Sequence, residues 1–268
     1  MNFLRELYNN RRLIFKLSKN DFKTRYAGSY LGIIWAFVQP IVTIVVYWFV
    51  FEKGLKVGKT LSEEGISVPF VLWLTAGLVP WFFFSEALNN GTNALIEYKY
   101  LVQKVVFNIS VLPVIKILAA LYVHVFFVCF TVLLFACYGM SPDLYTLQVI
   151  YYSFAMFALV LALCYFTCSV VVFFKDLSQI INIVLQVGVW ATPIMWQLSI
   201  LKSPVLQFIF KLNPLYYIVN GYRGALIDKV WFFQEWKLTI YYWILVIVLF
   251  MIGSRLFKRL KPHFADVL

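Results

Sequence analysis

The sequence predicts an all-α integral membrane protein with six transmembrane helices, and three observations carry that prediction. Of the 268 residues, 63% are hydrophobic and 13% are charged, too little polar surface to cover a soluble globule of this size. The apolar residues gather in long runs, and a hydrocarbon core of about 30 Å needs about 20 helical residues to cross it. Lys and Arg collect in the segments that alternate runs place on one side, the bias expected of a cytoplasmic face. The net charge of +11 sits beside apolar runs, so it suits membrane lipid or an anionic substrate and not nucleic acid.

The elements follow in order. Residues 1–28 place Leu4, Leu7, Tyr8, Leu13, Ile14 and Leu17 near helical spacing with Arg5, Arg12, Lys16 and Lys19 between them, an amphipathic helix in the inner interface. They lack the short apolar core of a cleavable signal, so the N-terminus is expected to be kept. Residues 29–51 are the first span, entered past Lys19, Lys23 and Arg25. Residues 52–68 form an outer loop. Its stretch GLKVGKT, Gly54 to Thr60, has three residues between the glycines where a phosphate loop needs four, so no ATP site is read there.

Residues 69–90 return inward, with a kink expected at Gly77 to Pro80. Residues 94–107 are mixed in character and predict a short interfacial helix on the cytoplasmic side. The spans 110–138 and 145–174 make a hairpin about the outer turn Gly139 to Asp143. After the short inner connection Lys175 to Ser178, residues 179–200 run outward, interrupted at Thr192-Pro193. Within 201–235, Ser203-Pro204 and Asn213-Pro214 each offer a side-chain cap followed by proline in the first turn. Two re-entrant half-helices in the outer leaflet explain their lengths. Residues 236–257 are the last span, and the basic residues Arg255, Lys258, Arg259 and Lys261 gather at its end, which places both termini in the cytoplasm.

Few residues promise chemistry. His124 stands mid-span, either a proton-relay candidate or a neutral ring hydrogen-bonded to a neighbouring helix. Cys164 and Cys168 lie one turn apart with no His or acid on their face, so packing is the reading, and no metal site is expected. Acids within the spans, and a nucleophile with its base, are read as missing, which argues against an intramembrane hydrolase or transferase and leaves no catalytic residue to name. Most of the aromatic surplus belongs to interfacial belts. Trp35 and Trp190 are read as deeper, offering flat faces on which a sugar or polyol chain can slide.

Taken together the motifs resemble the membrane subunit of ABC-2 type exporters of polysaccharides and teichoic acids. They are DFKTRYAGSYLGIIWAFVQP at Asp21 to Pro40, GLVPWFFFS at Gly77 to Ser85, LVQKVVFNISVLP at Leu101 to Pro113, FFKD at Phe173 to Asp176, TPIMW at Thr192 to Trp196, NPLYYIVNGYRG at Asn213 to Gly224, and the terminal KPHFADVL. The ending leans toward the teichoic acid exporters of Gram-positive bacteria, with O-antigen or capsular polysaccharide export and drug or lipid export as alternatives. The chain has Asn108 and Lys175 where the family often has Pro and Arg; Asn keeps a cap, and Lys keeps the charge without the planar fork.

The resemblance implies a homodimer with two copies of a separate ATP-binding subunit, which would hold ATP and Mg. It implies that residues 94–107 are a coupling helix seated on that subunit, with Glu97, Tyr98, Lys99 and Lys104 as contacts and Lys175 and Asp176 as a second contact. The substrate would be an anionic polymer on an undecaprenyl pyrophosphate carrier, with Trp35, Gln39 and Trp190 along its path. Lys23 and Arg25 would recruit its phosphates or simply anchor to lipid headgroups. The half-helices would form an outer gate, with Asn213, Pro214 and Arg223 as structural or gating residues.

Overall fold

A computed structural model describes residues 8–56, 58–62, 64–103 and 108–268. Arg5 and Lys104 lie outside the described residues. The chain is mostly helical, and among the described residues five helices are long and apolar enough to cross a membrane. Chain order runs α1 Arg11–Arg25, α2 Trp35–Trp48, β1 Lys59–Leu61, β2 Ser67–Pro69, α3 Phe70–Thr92, α4 Leu112–Cys137, α5 Gln148–Val171, α6 Leu177–Ala191, α7 Pro204–Lys211, α8 Pro214–Arg223 and α9 Trp236–Leu260. Flanking turns extend α2 over Gly32–Gly54, α4 back to Ile109 and α5 back to Leu144.

The centre of the fold is α3. Leu72, Leu74, Leu78 and Val79 are fully buried, against α4 on one side and α5 on the other. The helix runs unbroken through Pro80, whose missing N–H is tolerated inside the bundle. α9 lies along α5, and Gly253 makes that contact close: a Cβ there would stand 2.9 Å from the Ala162 carbonyl oxygen. Outside this centre α2 and α6 are thinly covered, burying only Ala36 and Ile44 in α2 and only Leu185 in α6.

Several expectations change. The run expected over 179–200 is helical only to Ala191, in a helix of 15 residues, because Thr192-Pro193 ends the ladder; Leu198–Ile200 then forms a single tight turn. The loop expected outside the membrane contains a two-stranded antiparallel hairpin, with Thr60 of the apparent phosphate motif opposite Val68. Of the segment expected as one helix over 94–107, the described part, 94–103, holds two single turns, Ala94–Glu97 and Lys99–Val102, broken at Tyr98. At the break the Tyr98 side chain reaches across to α1. Asn213 caps α8 by accepting from the Leu215 amide at 3.0 Å, and Asn108 accepts from the Ser110 amide at 3.2 Å ahead of α4. Ser203 makes no such side-chain cap, although Pro204 does open α7.

The connections sort into two ends. At one, Asp143 pairs with Lys229, and the β-hairpin borders the same cavity as Gln197 and Lys211. At the other, α1 meets Tyr98 and the start of α4, Ser178 bonds Asn93, and Phe264 packs near Phe173.

Candidate functional site

A polar groove and two fastenings, one at each end, make up the site. The groove has a volume of about 930 Å³ and lies between α2, α3 and α6. Its α6 wall presents Gln179, Asn182 and Gln186, spaced so that three amides share one helical face, together with Leu185 and Val189. The rest of that helix exposes Ile180, Ile183, Val184 and Val187. An amide stripe on an apolar helix is costly against lipid, so this face meets water, substrate or protein. Opposite stand Trp35, Gln39 and Thr43 of α2 and Ser85, Glu86 and Asn89 of α3. Asn89 donates to the Asn182 side-chain carbonyl at 2.6 Å and fixes the spacing of α3 and α6.

The fastening at the α1 end is a chain of charges. α1 buries Ile14, Ser18 and Asp21 in one stripe, so its protein-facing side is polar at its last turns and not the purely apolar face expected. Asp21 Oδ1 accepts from the Tyr98 hydroxyl at 2.6 Å and from Lys116 Nζ at 2.6 Å. Lys116 also donates to Glu97 at 2.5 Å. Asp21 Oδ2 accepts from Arg25 at 3.1 Å, and the other Arg25 terminal nitrogen donates to Glu86 in the groove wall. The Lys116 head lies 4.8 Å from the Tyr98 ring centre, a cation–π contact. Burial, with the hydrogen bond to Asp21 and the nearby negative charge, pushes the Tyr98 phenol well above its ordinary range and keeps it a donor.

At the β-hairpin end Arg223, 7% exposed, donates to the carbonyls of Pro193 and Ile194 at 2.7 Å each and to that of Trp73 at 3.4 Å. Its guanidinium stacks 3.4 Å over the Trp73 ring. The α6 break at Thr192-Pro193 leaves carbonyls without helical partners, and Arg223 supplies the donors. Asn213 Nδ2 adds a bond to Thr192 Oγ1 at 3.0 Å. Gly77 makes room for this: a Cβ there would meet Arg223 Nη2 at 2.8 Å.

The structure brings some sequence-named residues together and separates others. Arg25, Trp35 and Gln39 border the groove. Lys23 is exposed and off its wall, and Trp190 lies on α6 without lining it. On the surface of the bundle Trp35 is 47% exposed and Trp190 57%, because α2 and α6 have so little packed over them. Glu97 and Tyr98 turn toward Lys116 and Asp21, whereas Lys99, Lys175 and Asp176 are exposed at that end. His124 bonds Ser153 at 3.1 Å and Tyr222 at 3.0 Å and stacks on Phe83, which ties α4 to α5, α8 and α3 as a neutral ring can. Among the described residues no cluster of His, Cys, Asp or Glu could hold a metal.

Sequence reasoning missed Asp21, Glu86 and Lys116. Reading the spans as free of acids was mistaken, since Glu86 lies inside α3. Both Glu86 and Lys116 stand in apolar runs, and an ionisable residue there was a signal to pursue. The α6 amides were visible too, as an i, i+3, i+7 set.

Residues 12–227 match the family model described as "ABC-2 type transporter". The chain is 28% identical over 222 residues to the O-antigen export system permease protein RfbA of Myxococcus xanthus, covering 82% of each chain. With proteins of the same name from Klebsiella pneumoniae it shares 24% identity over 263 residues and 25% over 264, in each case covering 96% of this chain and 95% of the relative.

Proposed function

The chain belongs to the ABC-2 type transporter family, a multi-pass protein of the cell membrane whose membership implies a separate ATP-binding subunit, and from that premise we propose that it is the permease half of a polysaccharide exporter. The observation that carries this reading is the amide-lined groove on the thinly covered face of α2 and α6. A small-molecule pore of one chain would enclose its polar wall. This wall is open, as half of a conduit completed by a second copy would be. Flexible amides and hydroxyls exchange hydrogen bonds with sugar hydroxyls without holding any one of them tightly, which suits a chain that must keep moving.

In the proposed complex two permeases and two ATP-binding subunits assemble, and ATP and Mg are held by the latter. α6 with the residues that follow it to Ile200 makes a sixth crossing, and both termini are cytoplasmic. The subunit docks at the end that exposes Lys99, Tyr100, Lys175 and Asp176. Force applied there reaches Glu97, then Lys116, Asp21 and Arg25, and so Glu86 in the groove. α7 and α8 form the outer gate, with α8 held to the end of α6 through Arg223 and Asn213. The cargo travels on a polyprenyl pyrophosphate carrier. Relatives named for O-antigen export support a glycan of that kind over the teichoic acid toward which the sequence leaned.

The test is to purify the tagged chain from its own membranes and to measure what accompanies it. An ATP-binding protein in equal amount, with ATPase activity, is expected. A chain that is monomeric, alone and functional in transport would overturn the reading.

A further inference from the structure

We infer that the groove is built for an uncharged, hydroxyl-rich glycan and disfavours a polymer that carries phosphate in its backbone; this rests on the polysaccharide-export reading and sharpens its substrate class. The charges that line the groove are already paired. Among the described residues, the wall has one cation, Arg25, and one anion, Glu86, and they are bonded to each other. The charge of Arg25 is already divided between two carboxylates, because its other terminal nitrogen holds Asp21.

Nor can the network behind it release a cation. Its members are three carboxylates, Asp21, Glu86 and Glu97, against two cations, Arg25 and Lys116. Lys116 is 4% exposed and is shared between two of those carboxylates. The basic residue expected to help, Lys23, does not border the groove. A phosphodiester entering here would leave water, meet the Glu86 carboxylate and find no free positive partner. A neutral sugar meets the exposed amides of Gln39, Gln179 and Gln186 and the ring of Trp35 instead. The amides both donate and accept, which matches hydroxyls, and none compensates a formal charge. This preference belongs to the polymer and not to the pyrophosphate of its carrier.

The experiment uses the full chain in complex with its ATP-binding subunit in lipid nanodiscs. Binding of a fluorescent dextran oligomer is compared with that of a fluorescent poly(glycerol phosphate) of matched length. The neutral chain is expected to bind roughly tenfold more tightly. Gln186→Lys and Gln179→Lys, which put unpaired cations on the exposed wall, are expected to raise affinity for the anionic polymer by a similar factor, with intact complexes on size exclusion as the check on folding. Equal or tighter binding of poly(glycerol phosphate) to the unaltered complex would overturn the inference, as would binding of neither polymer or lysine variants that leave both affinities unchanged. Loss of the exporter reading would look different: no ATP-binding subunit would accompany the chain at all.

Discussion

A buried lysine closes the α1 end of this molecule and a buried arginine closes the β-hairpin end, but they are held in contrasting ways. Lys116 is neutralised by the carboxylates of Asp21 and Glu97, which come from separate segments of the chain. Arg223 directs its donors to the backbone carbonyls of Pro193, Ile194 and Trp73 and its flat face to an indole. Ion pairs act through charge and tolerate sliding, so elements joined by them can move and stay joined. Carbonyls at a helix break are fixed in direction, and a planar fork serves them in one geometry. The α1 end is therefore suited to passing on displacement, and the β-hairpin end to holding a position until it lets go.

Removing one partner at the α1 end should have the largest effect. Lys116→Met takes a buried cation from Asp21, which keeps only Arg25, and from half-exposed Glu97, at a cost of about 3 kcal/mol, toward the low end for a broken buried pair. A large fall in the thermal midpoint of the detergent-purified chain is expected, and the double variant Asp21→Asn/Lys116→Met should recover part of it. Strictly additive losses would break the idea of one connected network.

At the β-hairpin end, Arg223→Lys should cost about 2–3 kcal/mol, since an ammonium cannot serve these carbonyls and stack on Trp73 as well. Full stability and transport in that variant would show that charge alone suffices, and the contrast between the two ends would fail. Gly77→Ala should cost about 1–2 kcal/mol by pushing on the guanidinium, and most of that cost should vanish in an Arg223→Met background. A cost unchanged by that background would place the strain elsewhere.

The smallest effect belongs to the surface pair Asp143 and Lys229, 2.5 Å apart. Burial opposes ionisation of Asp143, but the bonds from Lys229 and Thr146 outweigh it and hold the carboxyl below its ordinary value of 3.8. A depressed folded value means a contribution that is present above the unfolded value and is lost as pH falls through the folded one. The thermal midpoints of the parent and Lys229→Met should thus differ by the equivalent of less than about 1 kcal/mol at neutral pH and converge in acid below that range. A gap that widens in acid would reverse the sign of this account.

The fold was more legible than the site. Each of the five long helices was readable from an apolar run, and Asn213-Pro214 announced the start of α8 in a local pattern. The end of α6 was readable as an interruption at Thr192-Pro193, though not as the loss of its last turns. The β-hairpin was not readable, because its strands are three residues each and take their register from each other. The site was legible where one residue sufficed: Trp35, Gln39 and Arg25 were named and do border the groove. It was illegible where a role depends on a distant partner, as Arg25 does on Glu86, 61 residues away.

What the sequence determined by itself is that this chain lives in a membrane as a bundle of helices, because the bilayer demands apolar runs of a set length and leaves the backbone few ways to satisfy itself. Only the tertiary structure decided which polar groups are occupied and which are open. Asp21 meets Lys116 across 95 residues of chain, and Arg223 meets Trp73 across 150. No local pattern encodes such meetings. They arise because buried charges and orphaned carbonyls must find partners somewhere in the fold, and what they leave open on the α6 face are the amides of Gln179 and Gln186.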